Sequence, residues 1–161
     1  MPQHPTIILI HGAFHQPEHF DTVAFHLRSA GYDVLTLKLP SMGLASDPGD
    51  ALHLDAFAVR DALSQTLVDR GQDAILVMHS YGGLPGSEGY GMYREQADCS
   101  PQSAPSGKVR RLVYLAAHGP VERGAVILPK GVQIPPLPTD VRISPPPHTV
   151  YASDLSLRKM A

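Results

Sequence analysis

The sequence predicts an α/β fold built on a mostly parallel sheet with helices on both faces. Short apolar runs recur along the 161 residues, and helix-period segments lie between them. Glycine or proline follows each of these segments. Right-handed crossovers between parallel strands would put helices on both sides of the sheet.

Residues 6–10, Thr-Ile-Ile-Leu-Ile, open the pattern. The run does not alternate, which suits a strand covered on both faces. Residues 17–30 read as a helix, with Phe20, Val23, Ala24 and Leu27 on one stripe, Pro17 in the first turn and Gly31 as the stop. Residues 33–38 read as the second strand, closed by Pro40. Residues 41–49 are a loop of small and turn-forming residues, and a longer helix follows from about Asp50 to Arg70. Ala56, Val59, Leu63 and Leu67 line its apolar face, while Asp55, Arg60, Asp61 and Gln65 read as lying off it. Residues 73–78 are the third strand. A short helix is expected from Tyr81, because Gly83, Pro85, Gly86, Gly89 and Gly91 limit its length. Residues 95–108 read as a polar loop, and 110–117 as a fourth strand stopped by Gly119-Pro120.

Composition narrows the class. A formal charge of −2 gives no electrostatic reason to expect nucleic acid or an anionic membrane as partner. No apolar run approaches the ~20 residues that span a bilayer. The first five residues, Met-Pro-Gln-His-Pro, lack the regions of a signal peptide, so a cytoplasmic location is expected. The single cysteine, Cys99, has no internal disulfide partner and is given no catalytic role. Prolines cluster between Pro129 and Pro147, which excludes a long helix or a central strand there. The expected division is therefore a core over residues 1–128 and a proline-rich tail over 129–161, with a short helix possible from 150 to 160.

The most informative stretch is Met78-His79-Ser80-Tyr81-Gly82-Gly83, directly after the apolar run Ala74-Ile75-Leu76-Val77. It places a serine where a buried strand must turn sharply into a helix. This is the geometry of a nucleophile elbow, although Met78 stands where the G-x-S-x-G pattern has its first glycine. A serine hydroxyl there is a candidate nucleophile once a base takes its proton. His79 is adjacent to Ser80 and is read as packing support for the turn.

With Ile8-Leu9-Ile10-His11-Gly12-Ala13-Phe14-His15, Ala30-Gly31-Tyr32-Asp33-Val34 and Leu39-Pro40-Ser41 added, the chain resembles an α/β-hydrolase over roughly residues 6–118. It is most similar to small hydrolases of the AB hydrolase-1 type, whose motifs plant methylesterases and hydroxynitrile lyases share in variant form. The resemblance implies Ser80 as nucleophile and the N–H groups of Ala13 and Tyr81 as an oxyanion hole, with Phe14 lining the substrate pocket. It also implies an acid and a histidine after the nucleophile, acid first. After Ser80 the sequence holds only His118 and His148 as imidazoles, each a weak candidate base, with Asp140 and Asp154 as acids. The fold is therefore expected to be incomplete on its C-terminal side, with residues 129–161 starting a lid region.

Other chemistries have little support. His11, His15 and His19 are spaced by four, but Gly12-Ala13 and Pro17 interrupt a helix there, so no metal is expected. No phosphate-binding glycine pattern follows the first strand, and no cofactor is expected. The expected function is serine hydrolysis of a small ester, amide or thioester through Ser80, with a small-molecule substrate as partner. One alternative is a truncated or degenerate hydrolase that binds without turnover and self-associates through an exposed sheet edge. Another is a lyase on the same fold.

Overall fold

A computed structural model describes residues 4–42, 50–99 and 107–119. The strands are β1 (Thr6–Ile10), β2 (Val34–Leu37), β3 (Ala74–His79) and β4 (Val109–Leu115). They form one parallel sheet in the order β2-β1-β3-β4. The helices are α1 (Asp21–Ser29), α2 (Ala51–Ser64) and α3 (Gly83–Cys99).

The unbroken apolar character of β1 follows from its central place, and all five of its residues are buried. Ile8 and Ile10 share a core with Val59 and Leu63 of α2, Leu67, and Tyr93 of α3. Ile7 and Leu9 point the other way and pack with Ala24 of α1. Successive strand residues alternate in direction, so β1 feeds two cores at once. Each fully buried leucine or isoleucine contributes about 1.5–3 kcal/mol. On β3 the same alternation buries Ala74, Leu76 and Met78 and leaves Ile75, Val77 and His79 half-buried.

Several helix boundaries differ from the sequence expectation. The segment from Pro17 starts as a 3-10 turn, Pro17–Phe20, before α1 begins. Its stripe is also narrower than the spacing implied, because Val23 is 40% exposed while Ala24 is fully buried. Asp50 caps α2 by accepting from the His53 N–H at 3.2 Å. The helix then widens into a π turn, Gln65–Asp69. There the Thr66 hydroxyl donates to the Ala62 carbonyl at 2.8 Å. Gly71, with φ of 64°, ends the segment.

The largest correction concerns α3. It runs 17 residues and absorbs the start of the expected loop at 95, so Cys99 ends a helix. Glycine counted against this helix by propensity, at about 1 kcal/mol each. Tertiary contact decides otherwise. A Cβ on Gly89 would come within 2.7 Å of Val59 Cβ, and one on Gly86 would collide with Met78 Sδ. These glycines let α3 approach β3 and α2 more closely than any side chain would allow. Pro85 sits in the first helical turn, where its missing N–H has no intrahelical partner to lose.

The expected tail at 129–161, its possible helix, and most of the 41–49 loop lie outside the described residues.

Candidate active site

The register of the sheet assembles the site. Ile10 pairs with Met78, so the chain leaving β1 at His11-Gly12 emerges beside the chain leaving β3 at His79-Ser80. His79 pairs with Leu115, which brings the end of β4 alongside. Parallel strands thus deliver three loops to one rim.

Ser80 has φ of 51°, in the left-handed region that a non-glycine residue enters at a cost of about 1–2 kcal/mol. A 3-10 turn, Ser80–Gly82, then leads into α3. Gly82 is obligatory here, because a Cβ would stand 2.6 Å from the His11 carbonyl oxygen and 2.7 Å from that of Ile10. Gly12 faces the elbow: a Cβ on it would be 3.1 Å from both Ser80 Cβ and His79 Nδ1. Met78 is fully buried at the end of β3, and Gly86 leaves the space it fills.

The loop after β1 is held from several sides. The His15 N–H donates to the Gly12 carbonyl at 3.2 Å, closing a tight turn. His15 Nδ1 lies 2.8 Å from the Ala13 carbonyl. Phe14 has φ of 60°, its N–H donates to Met42 Sδ at 3.4 Å, and its ring is 63% exposed. Tyr81 stands in the first turn of its helical segment, where backbone N–H groups lack intrahelical acceptors.

His11 is a buried structural histidine. Its Nδ1 donates to the Gly12 carbonyl at 2.9 Å, and its Nε2 accepts the Leu39 N–H at 3.2 Å. That pairing requires the neutral ring, and burial accordingly lowers its pKa. Burial, then the neighbouring His15, also lowers the pKa of His79. The His79 ring meets His15 edge-on, with centroids 5.5 Å apart, and so packs beneath the Gly12 turn.

Asp55, which the helical spacing puts off the apolar face, is fully buried. It accepts from the Ser41 N–H at 2.9 Å, the Ser41 hydroxyl at 2.6 Å and the Tyr81 hydroxyl at 2.9 Å. Burial first, and then this carboxylate, push the Tyr81 phenol far above its ordinary pKa. No local pattern marks such an aspartate, since its partners come from two other loops.

The base is the unfilled role. The His118 backbone N–H donates to the Ser80 carbonyl at 3.2 Å, and its side chain is exposed. Among the described residues no imidazole hydrogen-bonds the Ser80 hydroxyl. His148, Asp140 and Asp154 lie outside the described residues. Also among the described residues, no three His, Cys, Asp or Glu side chains converge as metal ligands, and no helix is long and apolar enough to cross a membrane. A cavity of about 310 Å³ lined by Thr6, Arg28, Tyr32 and Arg70 opens at the opposite, N-terminal end of the strands, away from Ser80.

A parallel sheet flanked on both faces, with a strained serine between its third strand and the following helix, defines an α/β-hydrolase architecture. Residues 7–159 match the Alpha/beta hydrolase family, and the chain belongs to it. An alpha/beta hydrolase of Aspergillus novofumigatus is 33% identical over 115 residues, covering 70% of this chain and 43% of that protein. A carbendazim-hydrolysing esterase of a Nocardioides species is 34% identical over 128 residues, covering 78% of this chain and 48% of the other. The chain thus spans less than half the length of these curated relatives. Among solved structures, an extracellular α/β-hydrolase from a Paenibacillus species superposes with a TM-score of 0.54 at 24% identity. It covers 74% of this chain and 43% of that one, a likeness of fold.

Proposed function

We propose that this chain carries the nucleophile and oxyanion loop of a serine hydrolase acting on a small ester, amide or thioester. One observation carries the reading: Ser80, held at φ of 51°, lies directly against the Gly12 turn. In this reading Ser80 Oγ attacks the substrate carbonyl carbon while a base takes its proton. The carbonyl electron pair moves onto oxygen, where the N–H groups of Ala13 and Tyr81 stabilise it. The intermediate collapses to an acyl-serine as the leaving group takes the proton back, and water then releases the acid. Phe14 lines the substrate side of the pocket. The base is unassigned, and His118 and His148 are the weak candidates this chain offers.

A fluorophosphonate probe tests this. The expected result is one adduct on Ser80, absent in Ser80→Ala. A folded chain that stays unlabelled overturns the reading. Substituting His118 and His148 separately by alanine then assigns the base, as the variant that loses labelling while remaining folded.

A second reading is favoured by the lack, among the described residues, of an imidazole bonded to the Ser80 hydroxyl. In it the chain binds its small molecule without turnover. It also self-associates along β4, which ends the sheet among the described residues. Sedimentation of the unlabelled, folded chain as a dimer or larger species supports this reading, and a monomer counts against it.

A further inference from the structure

We propose that Asp55 is a positioning residue that holds both arms of the oxyanion hole, the elbow at Tyr81 and the loop at Ala13, in one fixed arrangement. The inference rests on the Ser80 reading above and extends it to a residue well away from either motif.

The connections are explicit. On one side Asp55 Oδ2 accepts the Tyr81 hydroxyl at 2.9 Å, and Tyr81 is the residue directly after Ser80. The phenol is thereby anchored to α2, and the backbone that carries the Tyr81 N–H is anchored with it. On the other side Asp55 accepts both the N–H and the hydroxyl of Ser41, at 2.9 and 2.6 Å. Ser41 belongs to the segment leaving β2, which touches the loop after β1 at two points. Leu39 N–H is held by His11 Nε2 at 3.2 Å, and Met42 Sδ accepts the Phe14 N–H at 3.4 Å. Ala13 lies between those two points. One buried carboxylate therefore ties together the two stretches of backbone that would share a developing negative charge.

The chemistry of the group explains why a carboxylate serves here. Oδ2 receives two hydroxyl donors and Oδ1 receives a backbone N–H. A carboxylate accepts all three without donating. An amide at the same place would turn its own N–H toward two hydroxyls that already donate. A buried acceptor with charge-assisted bonds resists displacement more strongly than a neutral one.

The test compares the intact chain with Asp55→Asn and Tyr81→Phe. Both variants keep side-chain size and spare the Ser80 and Ala13 backbone. Two readouts are taken on folded protein. The first is fluorophosphonate labelling of Ser80. The maximal labelling rate is expected to fall about tenfold or more, short of the ~100-fold or greater loss that accompanies removal of an oxyanion donor. The probe concentration for half-maximal rate should stay unchanged. The double variant should be no slower than Asp55→Asn alone, because the Tyr81 link is one of those the Asp55 change already cuts. The second readout is amide hydrogen exchange at Phe14, His15 and Gly83, whose N–H groups are hydrogen-bonded within the two arms, and it requires no activity. Exchange there should quicken in Asp55→Asn, while amides of β1 and β3 keep their protection. If the parent chain does not label, the nucleophile reading fails and exchange alone decides on Asp55. Unchanged exchange at those three amides overturns the proposal, as does parent-like labelling in both variants of a chain that does label.

Discussion

The backbone N–H of His118 donates to the carbonyl oxygen of Ser80 at 3.2 Å, so the exit of β4 is fastened to the back of the elbow. The same contact explains Gly83. A Cβ at that position would run into the His118 carbonyl and stand 3.1 Å from Ala117 Cβ. Gly83→Ala should therefore destabilise the chain by about 1–3 kcal/mol, the usual cost of overpacking, despite alanine's better helix propensity. Urea unfolding followed by circular dichroism measures it, and an unchanged midpoint contradicts it.

Strain at Ser80 yields a second expectation. Alanine and glycine both remove the hydroxyl, but only glycine relieves the positive φ. Ser80→Gly should be more stable than Ser80→Ala by about 1 kcal/mol. Thermal unfolding of the two variants side by side decides the matter. Equal stabilities would mean the elbow stores no strain.

Met78 and Gly86 should behave as a coupled pair. Gly86→Ala alone drives a methyl group into Met78 and ought to lower stability. In a Met78→Ala background the two hardest contacts are gone and only Ile10 Cδ1 stays tight, at 3.2 Å, so the cost of the same change should shrink markedly. A double-mutant cycle in urea reads the coupling directly; additive effects would refute it.

Acid should weaken the fold through its histidines. Burial lowers the pKa of His11 and His79 beneath the ordinary histidine value of 6.5, so below that pH the unfolded chain binds protons that the folded chain refuses. Their contribution to stability is complete above pH 6.5 and declines as pH falls through 6.5 toward the lowered folded values. Urea midpoints between pH 7.5 and 5.5 should fall with pH. His11→Gln should flatten that slope, and an identical slope in the variant would exclude His11 as a source.

Much of the architecture was legible because it rests on local pattern. The unbroken run at β1 announced burial on both faces, and Ala56, Val59, Leu63 and Leu67 announced the inner face of α2 and the π turn that continues it. All of these are buried. Gly31 and Gly71 were readable as stops, and both adopt positive φ. What escaped notice depends on contact between distant segments. The length of α3 is set by how closely its glycines approach Met78 and Val59, which no propensity scale includes. The spacing of α2 puts Asp55 off the apolar face, because Ser41 and Tyr81, its partners, come from other segments. The Ser80 turn could be found from sequence since a strand, a serine and two glycines are contiguous there. No such local signal marks a partner for Ser80, because a side chain reaches it from wherever the fold brings it.

The order of the strands also governs how the chain must be made. β1 is synthesised before β2 and β3 but lies between them, and its Ile7–Ile10 stretch is fully covered only when Ala74–His79 has docked. A ribosome therefore releases this wholly apolar-packed strand long before its second neighbour exists. During that interval the nascent chain presents an adhesive β-segment, the kind of species that aggregates or engages chaperones. Recombinant yield should respond more to slower synthesis and chaperone supply than to any change on the surface of the finished fold.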